Sequence, residues 1–331
     1  MKKAVLASAV FAALVSGSTL AATVYKADGT ELKIGGRVEF RGDFNATDKG
    51  VEIDGTMKDK TRARLNIQGK TEISEGLTGF ARYEDEQAAG DSELTQRYMF
   101  AGLDFDGQAI SFGAQDMAAV QVSSFTDIGQ FTGLQKYLDA SADHTTGVVA
   151  YRGNFNDALN LQATYKANSE DGADSYGLSA VYKLPMGLKL GAAYSADDKQ
   201  VSSSTSNDDA YQALFGLGYS MDALYLGATY SFGDTGEADN EEFDVIEIAA
   251  QYKLTDEAKI QAIYGKTTNK PDGSADVDYD NFVELGGYYS FNANLTSYVA
   301  YKINSGDKVT SGTETTRDDE DTIRLGLKYA F

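Results

Sequence analysis

Hydrophobic and polar residues alternate with a period of two along most of this chain. Over 31–44 the even positions Leu32, Ile34, Val38 and Phe40 are apolar, while Lys33, Arg37, Glu39 and Arg41 between them are charged. Over 59–73, Ala63, Leu65 and Ile67 take one face, and Arg62, Arg64, Asn66 and Gln68 take the other. Alternation bounded by turn residues predicts strands with one face for lipid and one for water. Applied throughout, it predicts 16 of them: 31–44, 59–73, 77–86, 95–106, 109–116, 144–155, 159–167, 175–184, 188–196, 209–220, 223–232, 243–254, 258–267, 280–290, 295–303 and 322–331. Each has about 10 residues, the length of a tilted membrane strand. Short turns, such as 74–76 and 255–257, alternate with longer acidic loops, such as 197–208 and 304–321.

One stretch breaks the repeat. Residues 117–143, MAAVQVSSFTDIGQFTGLQKYLDASAD, are too long for a tight hairpin and too apolar for a solvated linker. Loops beyond about 12–15 residues are usually functional or disordered. The pattern alone leaves two readings open, a segment folded into a barrel lumen or an ordinary surface loop. Sixteen tilted strands enclose an aqueous channel, and closure leaves no unpaired edge in lipid. The predicted fold is all-β: a single-domain, 16-stranded antiparallel transmembrane β-barrel with the long third loop folded into the lumen. A soluble sandwich fits poorly, because the inward positions are too polar to form a core.

Ahead of the strands, Lys2 and Lys3 precede an apolar run over 4–15, then Ser16, Gly17, Ser18 and Thr19. That is the build of a secretory signal, with Thr19 and Ala21 at the small-residue positions of a cleavage site. Residues 1–21 are therefore expected to leave, and 22–331 to form the barrel. No stretch reaches the ~20 apolar residues of a membrane-spanning helix. The chain has no cysteine, so no disulfide contributes stability. Its 21 tyrosines suit aromatic girdles at two membrane interfaces, and Tyr165, Tyr182, Tyr194, Tyr230 and Tyr329 fall in the lipid-facing phase. The formal charge of −21 becomes −23 without Lys2 and Lys3. That excludes nucleic acid as a partner, since phosphate binding needs a basic surface. It allows cationic solutes.

Several stretches carry a family resemblance: 22–29 (ATVYKADG), 61–65 (TRARL), 76–80 (GLTGF), 100–103 (FAGL), 147–152 (GVVAYR) and 326–331 (GLKYAF). With them the mature chain resembles a general trimeric porin of the Gram-negative outer membrane. The resemblance implies a third loop folded inward halfway down the barrel, its acidic groups facing a basic wall. Local matches put that wall on Arg37, Arg64 and Arg97, with Arg62 added in the same inward row as Arg64. Periodicity supports the inward direction of Arg37 and Arg64. Arg97 shares its parity with Met99, Ala101 and Leu103, so only the resemblance places it inside. The next family arginine falls on His144, the only histidine, which would make the wall charge pH-dependent. In the loop, the family's Pro-Glu-Phe-Gly-Gly matches residues 129–133, with Gln130 in place of the acid, while Asp127 survives just before it. Asp116, Asp139 and Asp143 are further acids whose direction the sequence leaves open. The final Phe331, preceded by Tyr329, is similar to the signal read by the barrel-assembly machinery.

The expected function is passive diffusion of small hydrophilic solutes and ions across the outer membrane, with no catalytic step, cofactor or metal. Fifty acidic residues against 27 basic ones in the mature chain predict a modest cation preference. The expected partners are two further copies in a homotrimer, outer-membrane lipid and lipopolysaccharide. Gly35, Gly36, Gly79 and Gly102 on the early strands suit close approach of a neighbour. The alternative class is a structural or adhesive barrel whose acidic runs, Glu241-Glu242 and Asp318–Asp321, bind host molecules or lipopolysaccharide. A barrel enzyme would need a dyad at His144, and no orienting carboxylate and nucleophile stand beside it. A sugar-specific pore would need an aromatic track along the lumen.

Overall fold

The computed structural model describes residues 21–47, 52–53, 55–169, 173–198, 209–236, 242–307, 309–311, 314–317 and 320–331. Residues 1–20 of the expected signal segment 1–21 and the acids Glu241, Asp318 and Asp319 lie outside them. The chain forms seventeen barrel segments. They are β1 (Ala22–Ala27), β2 (Thr30–Thr47), β3 (Arg62–Ser74), β4 (Leu77–Ala88), β5 (Thr95–Phe105), β6 (Gln108–Gln115), β7 (Thr145–Phe155), β8 (Leu159–Lys166) and β9 (Ser175–Lys183). The rest are β10 (Leu188–Asp197), β11 (Ala210–Met221), β12 (Leu224–Asp234), β13 (Glu242–Lys253), β14 (Ala258–Lys270), β15 (Val277–Ser290), β16 (Leu295–Asn304) and β17 (Asp321–Ala330).

From β2 onward each strand pairs antiparallel with the next, and β17 pairs back onto β2 from Arg37↔Ala330 to Ala46↔Asp321. That closes a barrel of 16 staves. The closing stave is built from both ends of the chain. β1 continues along the edge of β2 where β17 stops, from Ala22↔Ile34 to Ala27↔Thr30. At the join, Gly36 N–H donates to the Phe331 carbonyl (2.9 Å) and Phe331 N–H donates to the Gly36 carbonyl (3.0 Å). The alternation did not reveal β1, because its six residues are exposed on both sides of the pleat.

All connections at one end are short. Asp106 (φ 55°) and Gly107 (φ 93°) make a two-residue turn with both central residues left-handed, as a twisted hairpin requires. Long connections gather at the other end, the pattern of periplasmic turns and extracellular loops. The faces separate as the alternation predicts. Val38, Leu65, Leu178, Phe215 and Leu325 are exposed on the outside, as are the five tyrosines of the lipid-facing phase. Glu39, Asn66, Gln68, Gln212 and Gln261 are buried on the inside.

The early glycines do not all serve a neighbouring surface. Gly102 faces inward, where a Cβ would lie 2.7 Å from the Phe80 ring and 2.8 Å from the Ser111 side chain. Gly35 is closed off by the Phe331 carbonyl, 3.1 Å from where a Cβ would stand, and Gly36 by the Phe331 ring of its own chain. Three of the four glycines are thus consumed by packing within the barrel, and Gly79 alone remains as an outward position free for a partner.

Candidate functional site

The segment between β6 and β7 is seated by inward-facing residues of β8 through β17. Ala118 N–H donates to Thr164 Oγ1 (3.0 Å), and its carbonyl accepts from Ser179 Oγ (2.6 Å). One helical turn follows, α1 (Val120–Ser123). Val122 and Phe125 pack into a buried cluster with Val181, Ala193 and Leu214 of β9, β10 and β11. Gly191 and Gly216 leave the room, since a Cβ on either would lie 2.9 or 2.8 Å from Val122 Cγ1. A second cluster joins Leu134, Tyr137 and Leu138 to Ala210, Phe243 and Val245. Burying one such side chain contributes about 1.5–3 kcal/mol. These two seams are therefore the main attraction between loop and wall.

Two wall carboxylates fix the loop's backbone. Glu247 accepts from Gly133 N–H (3.1 Å) and Thr126 Oγ1 (3.2 Å). Glu284 accepts from Gln130 N–H (2.8 Å) and Phe131 N–H (2.9 Å). Arg324, held by both oxygens of Asp43, donates to the Gln130 carbonyl (2.8 Å). Within the loop, Lys136 Nζ bridges Asp127 and Asp143 at 2.7 Å each. Burial alone would lower the Lys136 pKa, but the two carboxylates outweigh it and push the ammonium above its usual range. Asp143 is pulled the other way. Its burial penalty is overcome by hydrogen bonds and charge from His144 and Lys136, which hold its carboxyl well below the ordinary range.

The opposite wall is a lattice of arginines and glutamates. Arg37 and Arg62 share Glu39 at 3.4 and 2.9 Å. Arg62 (3.3 Å) and Arg64 share Glu86. Arg82 and Arg97 share Glu84 at 2.8 Å each. Five guanidiniums against three carboxylates leave +2 on this lattice.

Arg97 reaches the lattice through a β-bulge. Glu84 pairs with Tyr98 and Asp85 with Gln96, so Arg97 is an extra residue opposite no partner. Two residues then oppose one, and strict alternation fails there. Arg97 and Tyr98 both point inward, with Arg82 lying 3.8 Å over the Tyr98 ring. The parity that set Arg97 with Met99 and Leu103 is corrected by this one-residue slip.

Loop and wall face one another across a cavity of about 330 Å³. Asp127, Gly129, Gln130 and Thr132 line the loop side. Arg37, Glu39, Arg41, Arg62 and Lys328 line the wall, and Tyr288 and Tyr298 the flank. Gln130 also donates its side-chain amide to Tyr288 OH (3.2 Å).

Two expected members stand elsewhere. His144 does not line the cavity. Its left-handed backbone (φ 54°) turns the ring back onto Asp143, with Nδ1 3.0 Å from Oδ1, and edge-on against Tyr98 at 4.6 Å. It closes the loop's end instead of extending the arginine row. Asp116 is likewise a fastener. Its carboxylate accepts from Tyr98 OH (3.0 Å) and His144 N–H (3.2 Å), and its carbonyl accepts from Arg152 (2.7 Å). Asp139 pairs with Lys166 at 3.2 Å.

Sequence reasoning missed Arg82, Glu84 and Glu86, although their spacing of two on β4 marks one face. It also missed the docking seams. Their signal is the apolar residue at an inward position, as at Val181, Leu214, Phe243 and Val245, where a water-filled lumen calls for a polar one.

Comparison with known proteins bears on this arrangement. The model of the Gram-negative porin family matches residues 29–331. Outer membrane protein U of Vibrio vulnificus is 33% identical over 361 residues, covering 100% of both chains. Among solved structures, OmpF of Salmonella typhi in complex with daunomycin superposes with a TM-score of 0.81 at 22% identity, over 94% of this chain and 100% of that one. OmpT of Vibrio cholerae, in a trimer form, gives 0.71 at 19% identity over 92% and 100%.

Proposed function

This chain belongs to the Gram-negative porin family, outer-membrane channels rather than enzymes, and on that premise we propose how its pore works. Small hydrophilic solutes and ions diffuse passively through the lumen and are filtered between Asp127 and Gln130 of the loop and Arg37, Arg62, Arg64 and Arg97 of the wall. The observation that carries this reading is one cavity lined by Asp127 and Gln130 on the loop side and by Arg37 and Arg62 on the wall, with Arg64 beside Arg62 through their shared Glu86. Asp116 and His144 act one step away, by fixing the loop's ends.

Cations are modestly preferred. Asp174, Asp198, Asp209, Asp234 and Asp307 stand at the wide-loop end, where an acidic field raises local cation concentration. The net positive arginine lattice opposes them at the narrowest point. Low salt lengthens the reach of the mouth acids, and high salt shortens it. Zero-current potentials across a potassium chloride gradient test this. Potassium preference at low salt that fades as salt rises is expected, and chloride preference at low salt would overturn it.

Three copies assemble as a homotrimer in outer-membrane lipid and lipopolysaccharide. Support comes from a shallow outer-face groove of about 510 Å³ where Gly69, Ala81 and Ala101 leave space between Leu32, Ile67 and Phe112. Unheated samples are expected to migrate on gels as a trimer that heat dissociates, and monomers in mild detergent would count against it. Export follows removal of residues 1–21, so N-terminal sequencing of the mature protein is expected to begin at Ala22. Phe331 and Tyr329 present the terminal aromatic signal to the barrel-assembly machinery.

A further inference from the structure

The cavity contains more positive charge than its lattice uses. Glu39 is fully engaged, by Arg37, by Arg62 and by Tyr298 OH at 2.8 Å. Asp127 is held by Lys136 and Thr132. Among the described residues, the Arg41 guanidinium and the Lys328 ammonium have no ion pair, and Arg41 Nε is buried without a hydrogen-bond partner. Both line the cavity. Neither belongs to the ion-paired lattice of the wall.

Beside them is a flat aromatic surface. Tyr288 and Tyr298 lie 5.5 Å apart with their planes 26° from parallel. Glycines hold both rings close to the wall. A Cβ on Gly326 would collide with the Tyr298 ring, and one on Gly286 would lie 3.0 Å from Tyr288 Cε2. Lys259 Nζ stands 4.7 Å from the Tyr288 centroid. Tyr298 is buried, and Tyr288 remains partly exposed and lines the cavity.

We propose that this corner is a binding site for aromatic monocarboxylates, the carboxylate taken by Arg41 and Lys328 and the ring by Tyr288. A guanidinium fork matches a carboxylate in geometry and charge. Offset stacking on a tyrosine favours a planar ring over a puckered one. The site rests on the reading of the chain as a solute channel, and it makes one solute class pause where others pass.

Single-channel recording in planar bilayers tests it, with benzoate as probe and cyclohexanecarboxylate and acetate as controls. Benzoate is expected to interrupt the potassium chloride current saturably, and both controls to do so roughly tenfold less, the scale of one lost specific contact. Arg41→Gln and, separately, Lys328→Gln are each expected to weaken benzoate block by about tenfold, the worth of one charge-assisted hydrogen bond. Arg41→Lys is expected to restore part of it. Tyr288→Leu is expected to erase the difference between benzoate and cyclohexanecarboxylate. An open channel that treats the three probes alike, or block unmoved by both charge variants, overturns the site and leaves the channel standing. A barrel with no conductance overturns the channel reading and the site with it.

Discussion

Replacing Glu86 by glutamine isolates the electrostatics of the wall. Glu86 serves both Arg62 and Arg64, and its side chain is 20% exposed. The amide keeps its size and one acceptor, so the perturbation is the loss of one negative charge. The lattice then rises from +2 to +3. For an ion passing about 5 Å away, one unit charge is worth roughly 0.8 kcal/mol at the dielectric of water. With a Debye length of about 10 Å at 0.1 M salt, about 0.5 kcal/mol survives. Anions are then enriched and cations depleted about twofold each, which moves the permeability ratio toward chloride by roughly fivefold. At 1 M the Debye length is about 3 Å and the shift falls below about twofold. Zero-current potentials at the two salt concentrations give both numbers. No shift, a shift toward potassium, or a shift equal at both salts would refute the reasoning.

The remaining predictions concern the loop and the seam. Gly129→Val would drive a side chain into Ile263 and Glu284, since even a Cβ there lies 2.5 Å from each, so higher and noisier single-channel conductance is expected from an unseated loop. The Lys136 clasp has a pH window. Asp143's lowered pKa contributes stability above its unfolded value of about 3.9, lost as pH falls through the folded value, and Lys136's raised pKa contributes below about 10.4, lost as pH rises through the folded value. Hydrogen exchange of the 127–143 amides, corrected for intrinsic rates, is therefore expected to accelerate as pH falls below about 4 and as it rises above about 10. Deleting Phe331 removes a two-hydrogen-bond seam with Gly36 and the ring over it, and a strong fall in outer-membrane levels is expected on quantitative immunoblots.

The barrel was legible because a strand with one wet face and one greasy face writes its period directly into the sequence. The Arg37 and Arg64 directions came from that period alone. Arg97 did not, because a bulge costs one residue of phase and leaves no mark in composition. β1 escaped because an exposed six-residue segment carries no alternation. His144 was misjudged for a related reason. Matching positions fix where a residue sits on a strand end, but a left-handed φ decides which way its ring turns. The loop's seat was hidden by the expectation itself. Apolar residues at inward positions of β9 to β13 read as noise in a polar lumen, and they are the surface that receives Val122, Phe125 and Leu138.

The seat also determines what kind of filter this is. A loop fastened by two apolar seams and by Glu247, Glu284 and Arg324 has its backbone position fixed before any solute arrives. The aperture then cannot adjust to the solute, and selectivity among small ions must come from charge. Yet most of that charge is spent inside the walls. Lys136 offsets Asp127 on one side, and three glutamates offset three of five arginines on the other. A balance this close gives every single charge an outsized share of the net field. Removing one wall glutamate adds half again to the lattice charge, and removing Lys136 uncovers two loop acids at once. The channel's preference among ions is therefore set by a few small differences on a rigid frame. One-charge substitutions are expected to swing it in either direction while the single-channel conductance, fixed by the seated loop, changes little.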